Sequence, residues 1–554
     1  MDIKLKVILF VLMSFGFVDA QTKRFIIKTK SVGGFSSGLS ITGKKINLQA
    51  LSLEVDREID SVKKNIIAED LGMLLLEGDE EEIKLMLKNH PLVSNFEQDI
   101  KWTIQETDDC DEGSNDPSSD DCSPWVEDVL GLTDINNSAI IDSPSSSSDI
   151  VVAVIDTGSK ITHPYLQSAL YLNNLEASGS PGVDDDGNGY VDDVHGYNFA
   201  ENNSNVREYD TDHGSHVSGI VKTVRDKAIR AGYDSARKIK ILPIKFISGS
   251  EGSTFGAVSA IQYAISRGAE ILNVSWGSRG FSAYSKILYD ALAVANNSDI
   301  FISAASGNSD CVFTNNNDND PFFPSQFKLP SLMSVGSATA LYRYGVYPRS
   351  IDSIAPSCFS NYGTESVDIY SVGSYQSPEG NLSGIWSLAG NESNSDLLTT
   401  KKGTSMAAPV VSGIAAVVKS INPLLSAADV KKLIIQTGVQ SSSYNNVASS
   451  KISFGLSAFE AASSFSPQGV QIVNTNVDCL KAFDGFVCDS SGTSSASDGS
   501  NLSGTSGGGC GTIGPVDGEG PLSGNSVLLF TMIYFLFRLF RNRFKLNINR
   551  SLSV

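Results

Sequence analysis

The sequence predicts an α/β protein: three layers with a mostly parallel central sheet, preceded by a small α+β domain. Three observations lead there. From Trp125 onward, short apolar strands alternate with helical patterns, an order that makes successive strands parallel and covers both sheet faces with helices. One of these strands, Val151-Val152-Ala153-Val154-Ile155, is apolar without a break and mostly β-branched, as burial on both faces requires. Ahead of the alternating region, residues 24–106 mix strand-like pieces with an amphipathic helix, and an acidic Ser-rich run separates the two.

Taken in order, residues 1–20 read as an export signal. Lys4 and Lys6 precede an apolar run over 7–18, and Val18-Asp19-Ala20 sets a cleavage point before Gln21. The run is shorter than the roughly 20 residues that span a bilayer. Residues 21–106 form the small α+β domain, with a strand over 25–29, a helix over 80–88 and strand pieces within 92–104. Residues 107–123 are acidic and poor in apolar side chains, the composition of an exposed linker. Such a segment is a natural processing site, and the cut is expected between Lys101 and Trp125.

The main domain runs over 124–466. Strands are expected at 150–155, 239–246, 271–274 and 300–304, and helices at 215–225, 256–267 and 284–295. A late amphipathic helix over 426–437 opens with Ser426-x-x-Asp429 after Pro423. Residues 467–506 lose periodicity and read as a Ser/Gly-rich linker. Residues 507–554 form a tail.

With 554 residues, 41% of them hydrophobic, the chain exceeds one domain and can bury a large core. A net charge of −20 argues against a nucleic-acid partner. Seven cysteines in an exported chain make disulfides expected. Close spacing suggests Cys110–Cys122 and Cys479–Cys488, leaving Cys311–Cys358 and an odd Cys510, although spacing alone does not fix connectivity. His213 and His216 lack the Glu of a His-Glu-x-x-His zinc site. No organic cofactor is expected.

Gly403-Thr404-Ser405-Met406-Ala407-Ala408-Pro409 opens a helix that is apolar nearly all round. A hydroxyl in its first turn is either a cap on a core helix or a group placed where negative charge is favoured. Asp156 ends the apolar strand in Asp156-Thr157-Gly158, and His213 opens His213-Gly214-Ser215-His216. A serine hydroxyl needs a base to act as a nucleophile, and the base needs an orienting acid. The order Asp, His, Ser is that of subtilisin.

These three motifs in this order resemble the subtilisin-like serine proteases, the subtilases, over roughly residues 124–465. The resemblance implies that Ser405 is the nucleophile, His213 the base and Asp156 its orienting acid. It implies that Asn308, in Ser306-Gly307-Asn308, donates to the oxyanion. It implies that Asn273-Val274-Ser275-Trp276-Gly277 pairs with a substrate strand, with Ser275 and Gly277 as the binding residues. His216 is expected to pack behind His213. Residues 21–106 would then be a propeptide acting as intramolecular inhibitor, loosely matched through Glu81-Glu82-Ile83-Lys84 to Val93. The segment Phe359-Ser360-Asn361-Tyr362-Gly363 also fits the family, while Cys358 and Val372 depart from it.

Asp184, Asp186, Asn188 and Gly189 fit the first half of an EF-hand loop. The twelfth position is His195 in place of the bidentate Glu, with Asp192 or Asp193 as substitutes. These oxygen ligands favour structural calcium, and the same run also reads as a solvated acidic turn. In the tail, a Gly-rich motif around Cys510, an apolar run over 527–537 and a basic end resemble bacterial C-terminal sorting tails. A weak anchor is the alternative. The expectation is a secreted or cell-surface serine endopeptidase, exported in the bacterial manner, acting on polypeptides and made as a self-processing precursor. The alternative is a non-catalytic or only self-cleaving surface protein on the same fold.

Overall fold

The computed structural model describes residues 23–29, 51, 63–68, 72–88, 90–104, 148–209, 211–312, 315–341, 354–376, 382–390 and 398–464. The chain divides into two compact units, Met1–Val477 and Asp478–Val554, and all of the second lies outside the described residues. So do the export signal, the acidic linker, the tail, and the cysteines Cys110, Cys122, Cys479, Cys488 and Cys510.

The N-terminal part is a four-stranded antiparallel sheet in the order β2-β3-β1-β4, built from β1 (Lys23–Thr29), β2 (Lys63–Ala68), β3 (Met73–Gly78) and β4 (Val93–Gln98). Helix α1 (Glu80–Leu87) is capped by Asp79, whose carboxylate accepts from the Glu81 and Glu82 N–H groups. Strand alternation divides the apolar residues between two faces. Phe25, Ile27, Leu74 and Leu76 pack with Ile83 and Leu87 of α1. Ile26, Met73 and Leu75 point the other way, into the core of the following domain.

The central sheet begins with β6 (Ile150–Asp156), after β5 (Lys101–Ile104), which lies apart from both sheets. Helices α2 (Asn174–Ser178) and α3 (His213–Arg230) precede β7 (Ile239–Lys245). Next come the short strands β8 (Ile247–Ser248) and β9 (Glu251–Ser253), helix α4 (Thr254–Ser266), β10 (Ala269–Val274) and β11 (Trp276–Arg279). Helix α5 (Lys286–Asn297), β12 (Phe301–Ala305), β13 (Phe322–Phe323), β14 (Leu332–Leu341), β15 (Ile354–Pro356) and β16 (Ile369–Gln376) follow. The chain continues through β17 (Leu382–Ser383), the hairpin β18 (Ile385–Leu388) and β19 (Leu398–Lys401), and helices α6 (Thr404–Ile421) and α7 (Ala427–Thr437). It closes with β20 (Val439–Gln440), β21 (Lys451–Ile452) and α8 (Gly455–Ser464).

The sheet order is β20-β21-β16-β14-β12-β10-β6-β7, and every pairing from β21 to β7 is parallel. Along β6, Ile150, Val152 and Val154 pack with α3 and α6, while Val151, Ala153 and Ile155 pack with α4 and α5. Both faces are therefore covered, and the expected three-layer α/β architecture is present. Pro243 is tolerated because β7 ends the order, where a missing N–H costs no ladder bond.

The expected strands and helices recur with shifted ends. Helix α3 starts at His213, two positions ahead of the expected 215, and runs to Arg230. Helix α7 is opened by Ser426, whose hydroxyl accepts from the Asp429 N–H. Strands β14 and β16 are not among the expected strands, and their composition is the reason. Leu-Met-Ser-Val-Gly-Ser-Ala-Thr-Ala-Leu and Ile-Tyr-Ser-Val-Gly-Ser-Tyr-Gln carry too many small polar residues to read as buried strands. Several of those hydroxyls find partners inside the protein, Thr339 with Ser374 of the neighbouring strand at 2.7 Å and Ser374 with Ser357 at 2.8 Å. The Cys311–Cys358 disulfide is formed.

Candidate active site

Strand β6 ends at Asp156, where its neighbours β7 and β10 lead to opposite edges of the sheet. Crevices in open parallel sheets form at this kind of position. Asp156 is fully buried, and its Oδ1 accepts from His213 Nδ1 at 2.7 Å and from the Thr157 N–H at 2.7 Å. A proton held on Nδ1 leaves Nε2 as the basic nitrogen of the ring. Burial lowers the pKa of His216 well below its ordinary value, with Lys401 adding to the effect. Its Nε2 lies 2.9 Å from the Ile385 carbonyl, so it packs as a neutral core residue.

Ser405 does not cap α6. Gly403 holds that position, and Ser405 lies buried within the first turn. Its Oγ donates to the Ser275 carbonyl at 2.7 Å. Pro409 has no N–H to return to the carbonyl four residues back, which is that of Ser405. That carbonyl instead accepts the Ser275 hydroxyl at 2.9 Å. Asn273 extends the link, donating to Ser275 Oγ and accepting from Ser412 Oγ, both at 2.9 Å. The helix proline thus ties the Ser405 turn to the end of β10.

Helices α3 and α6 deliver His213 and Ser405 from the same side of the sheet. Their approach is close: a Cβ on Gly413 would lie 2.6 Å from Val224 Cβ. Asn308 follows β12. Its Oδ1 accepts from the Thr404 N–H and the Thr404 hydroxyl, each at 3.0 Å. With the carboxamide oxygen held by the residue before Ser405, the amide nitrogen is the donor end of the group. The Cys311–Cys358 bridge and the Asn308–Ser360 pairing hold this loop.

The groove beside these residues holds a strand of the chain itself. Strand β5 lies antiparallel between β9 and β11, with Trp102 opposite Gly252, Thr103 opposite Gly277 and Ile104 opposite Trp276. Thr103 Oγ1 donates to the Gly277 carbonyl at 3.3 Å. Gly277 is required by crowding, because a Cβ there would meet the Phe322 ring at 2.1 Å. Trp276 and Gly277 therefore pair with an added strand, the geometry of recognition by main-chain pairing, and Ser275 is the next residue toward Ser405.

The family model of the subtilase family matches residues 147–457 of the 554. The chain is a subtilase. It is 27% identical to subtilisin-like protease 1 of Plasmodium berghei over 60% of this chain and 51% of that one. It is 30% identical to subtilisin-like protease 1 of Plasmodium falciparum over 50% of this chain and 38% of that one. The match thus spans about half or less of these relatives' length. The epidermin leader peptide processing serine protease of Staphylococcus aureus shares the fold, with a TM-score of 0.52 at 17% identity, over 80% of this chain and 100% of that one.

Glu208 is the residue of this subtilase that sequence reading missed. It is fully enclosed beside the Asp156–His213 pair. One carboxylate oxygen accepts from the Gly214 N–H at 2.9 Å and the hydroxyls of Thr157 and Thr211, the other from the Ser215 N–H at 2.9 Å and its hydroxyl. It satisfies the first-turn N–H groups of α3, a role Asp212 leaves open by accepting instead from the Gly390 N–H at 2.7 Å. Burial raises the Glu208 pKa, and the nearby Asp156 carboxylate adds to this. No single motif marks it, because its donors on Thr211, Gly214 and Ser215 are joined by Thr157, which lies 51 residues away.

The acidic loop of the subtilase brings together Glu176, Asp184 and Asp186, whose oxygens lie within 4.8 Å of one another. Glu176 comes from α2, outside the motif, and was not anticipated. Asp192 faces elsewhere, accepting from the Gly182 N–H at 2.8 Å. Asn188 donates to Asp193 and accepts from the Tyr190 N–H. Asp186 also pairs with Arg267 at 2.6 Å. Three carboxylates suit a hard cation that takes oxygen ligands.

Proposed function

We propose that the protein is a secreted serine endopeptidase that hydrolyses polypeptides through Asp156, His213 and Ser405. The buried Asp156–His213 hydrogen bond of 2.7 Å, in a chain of this family, is the observation that carries the reading. Ser405 Oγ attacks the peptide carbonyl while His213 Nε2 takes its proton. The imidazolium returns that proton to the departing amine, and water then releases the acyl group by the same route. Asn308, with its oxygen anchored on Thr404, donates through its nitrogen to the developing oxyanion. Ser275 and Gly277 hold the substrate backbone.

The N-terminal sheet is read as a propeptide that blocks the site until it is cut away, because β5 fills the groove beside Ser275. Secretion is supported by the export-signal pattern and by the Cys311–Cys358 bridge. Calcium at Glu176, Asp184 and Asp186 is part of the same reading, and surface attachment through the tail rests on sequence alone. Ser405→Ala decides the central claim. The expected loss in kcat is about 10⁶-fold, the scale found when the nucleophile of such a triad is removed. The precursor should also remain uncut, which intact mass would show. Normal turnover by the variant, with contaminating protease excluded, would remove Ser405 from the mechanism.

A further inference from the structure

The Ser405 carbonyl, deprived of its helix bond by Pro409, ends a chain of side chains that runs in one direction. A carbonyl only accepts, so the Ser275 hydroxyl uses its single proton on the Ser405 oxygen, at 2.9 Å. Ser275 Oγ then accepts from Asn273 Nδ2 at 2.9 Å. That contact turns the Asn273 side-chain oxygen toward Ser412, whose hydroxyl donates to it at 2.9 Å. Each group therefore has one role set by its neighbours. Asn273, Ser275, Ser405 and Ser412 are all fully buried. In such surroundings the bonds of a chain strengthen one another, and a lost member is costly.

The chain starts and ends on α6, at Ser412 and Ser405, and passes through the end of β10 between them. It braces the helix against the sheet. Ser303, opposite Asn273 on the neighbouring strand β12, adds a second tie by donating to the Ala408 carbonyl at 2.8 Å. Ser275 also holds Ser405 at its other polar group, because the Ser275 carbonyl accepts the Ser405 hydroxyl at 2.7 Å. One residue, next to the strand that pairs with an extended chain, thus fixes both the carbonyl and the hydroxyl of Ser405.

We propose that Ser412, Asn273 and the Ser275 hydroxyl are positioning residues for the nucleophile. They hold the first turn of α6 by the carbonyl that Pro409 exposes, which sets the Ser405 hydroxyl for attack. The main chain of β11 serves the substrate, and the Ser275 side chain serves Ser405. This rests on the endopeptidase reading. Small misplacements of a reacting group are expensive in rate, so the effect falls on kcat.

A double-mutant cycle tests the proposal. Ser275→Ala removes the donor and keeps the main chain, while Pro409→Ala returns a backbone N–H to the same carbonyl. The purified full chain and its variants cleave labelled casein, with active sites counted by a serine-directed sulfonyl fluoride. Ser275→Ala is expected to lower kcat about tenfold with KM unchanged, because one buried acceptor loses its partner while main-chain pairing remains. With Pro409→Ala also present, the same change should cost about threefold or less. Ser412→Ala removes only the far end of the chain, so it keeps the test available if Ser275→Ala does not fold. It should lower kcat by about threefold, and Pro409→Ala should suppress that loss too. Equal losses with and without Pro409→Ala would overturn the proposal. A raised KM at constant kcat would overturn it as well, by assigning the Ser275 hydroxyl to substrate binding. A parent chain that cleaves no casein would instead overturn the endopeptidase reading.

Discussion

Glu208 shows how much of the site depends on one side chain that touches no substrate in this arrangement. Its carboxylate accepts from five donors on Thr157, Thr211, Gly214 and Ser215, joining the turn after Asp156 to the first turn of α3. Glutamine at this position presents an amide N–H₂ to donors on one side or the other. Buried donors that lose their acceptor cost about 1–3 kcal/mol each. Glu208→Gln is therefore expected to lower unfolding stability by about that amount, read by denaturant titration, and to lower kcat as His213 loses its fixed position. An unchanged midpoint together with an unchanged kcat would show that Glu208 only fills space.

At the scale of elements, the alignment of base and nucleophile is set by the packing of α3 against α6. Gly413 allows that contact, and the atom a new Cβ would meet at 2.6 Å is Val224 Cβ, close to the backbone of α3. The neighbour cannot swing aside as a long side chain would. Gly413→Ala forces the helices apart, and overpacking of a filled core costs about 1–3 kcal/mol. The expected outcome is lower thermal stability together with a kcat reduced more than KM is raised, since the helices carry His213 and Ser405 rather than the substrate groove. A variant as stable and active as the parent would mean that the helices separate without disturbing the site.

At the scale of the whole molecule, two carboxylates of the N-terminal part join it to the helices of the following domain. Glu97 accepts from the Lys286 N–H at 3.1 Å and the Ile287 N–H at 3.3 Å, at the start of α5, and from the Ser285 hydroxyl. Asp99 accepts from the Phe255 N–H at 3.0 Å, at the start of α4, and pairs with Arg24 at 3.1 Å. Burial raises the pKa of both above the ordinary carboxylate range, outweighing their hydrogen bonds. The docked form thus binds more protons than the separated form between the ordinary and raised values. Docking should weaken as pH rises through that window and be strongest below it. Protease resistance of residues 23–104 in Ser405→Ala, followed against pH, checks the sign, and resistance that rises with pH would reverse it.

A cation held by Glu176 of α2 and by Asp184 and Asp186 of the following loop would act on the same scale, because it would tie the helix to the loop. A cation bound only to the folded protein stabilises it by mass action, about 2.7 kcal/mol at a hundred times its Kd. Thermal stability is expected to rise with calcium, and Asp184→Ala with Asp186→Ala should remove that increment. The baseline will also fall, since Asp186 loses Arg267, so the increment is the quantity to measure. A melting temperature that chelation and calcium leave unchanged would reduce the loop to a turn.

The apolar run of β6, the order of the Asp156, His213 and Ser405 motifs and the strand–helix alternation are local patterns, so the amino-acid sequence alone determined the fold class and the candidate triad. The Ser- and Gly-rich strands β14 and β16 escaped that reading because the partners of hydroxyls such as those of Thr339 and Ser371 lie far away in sequence. Glu208 escaped it because its link to Thr157 crosses 51 residues, and Glu176 because it sits on α2, outside the motif of Asp184 and Asp186. The role of Pro409 is legible only when Ser275 is seen to take the carbonyl that the proline leaves without a helix bond. Trp102 read as one residue of a strand-like stretch until the tertiary structure set it between Trp276 and Thr254. Periodicity records which face of an element is buried, and only the folded chain decides what that face meets.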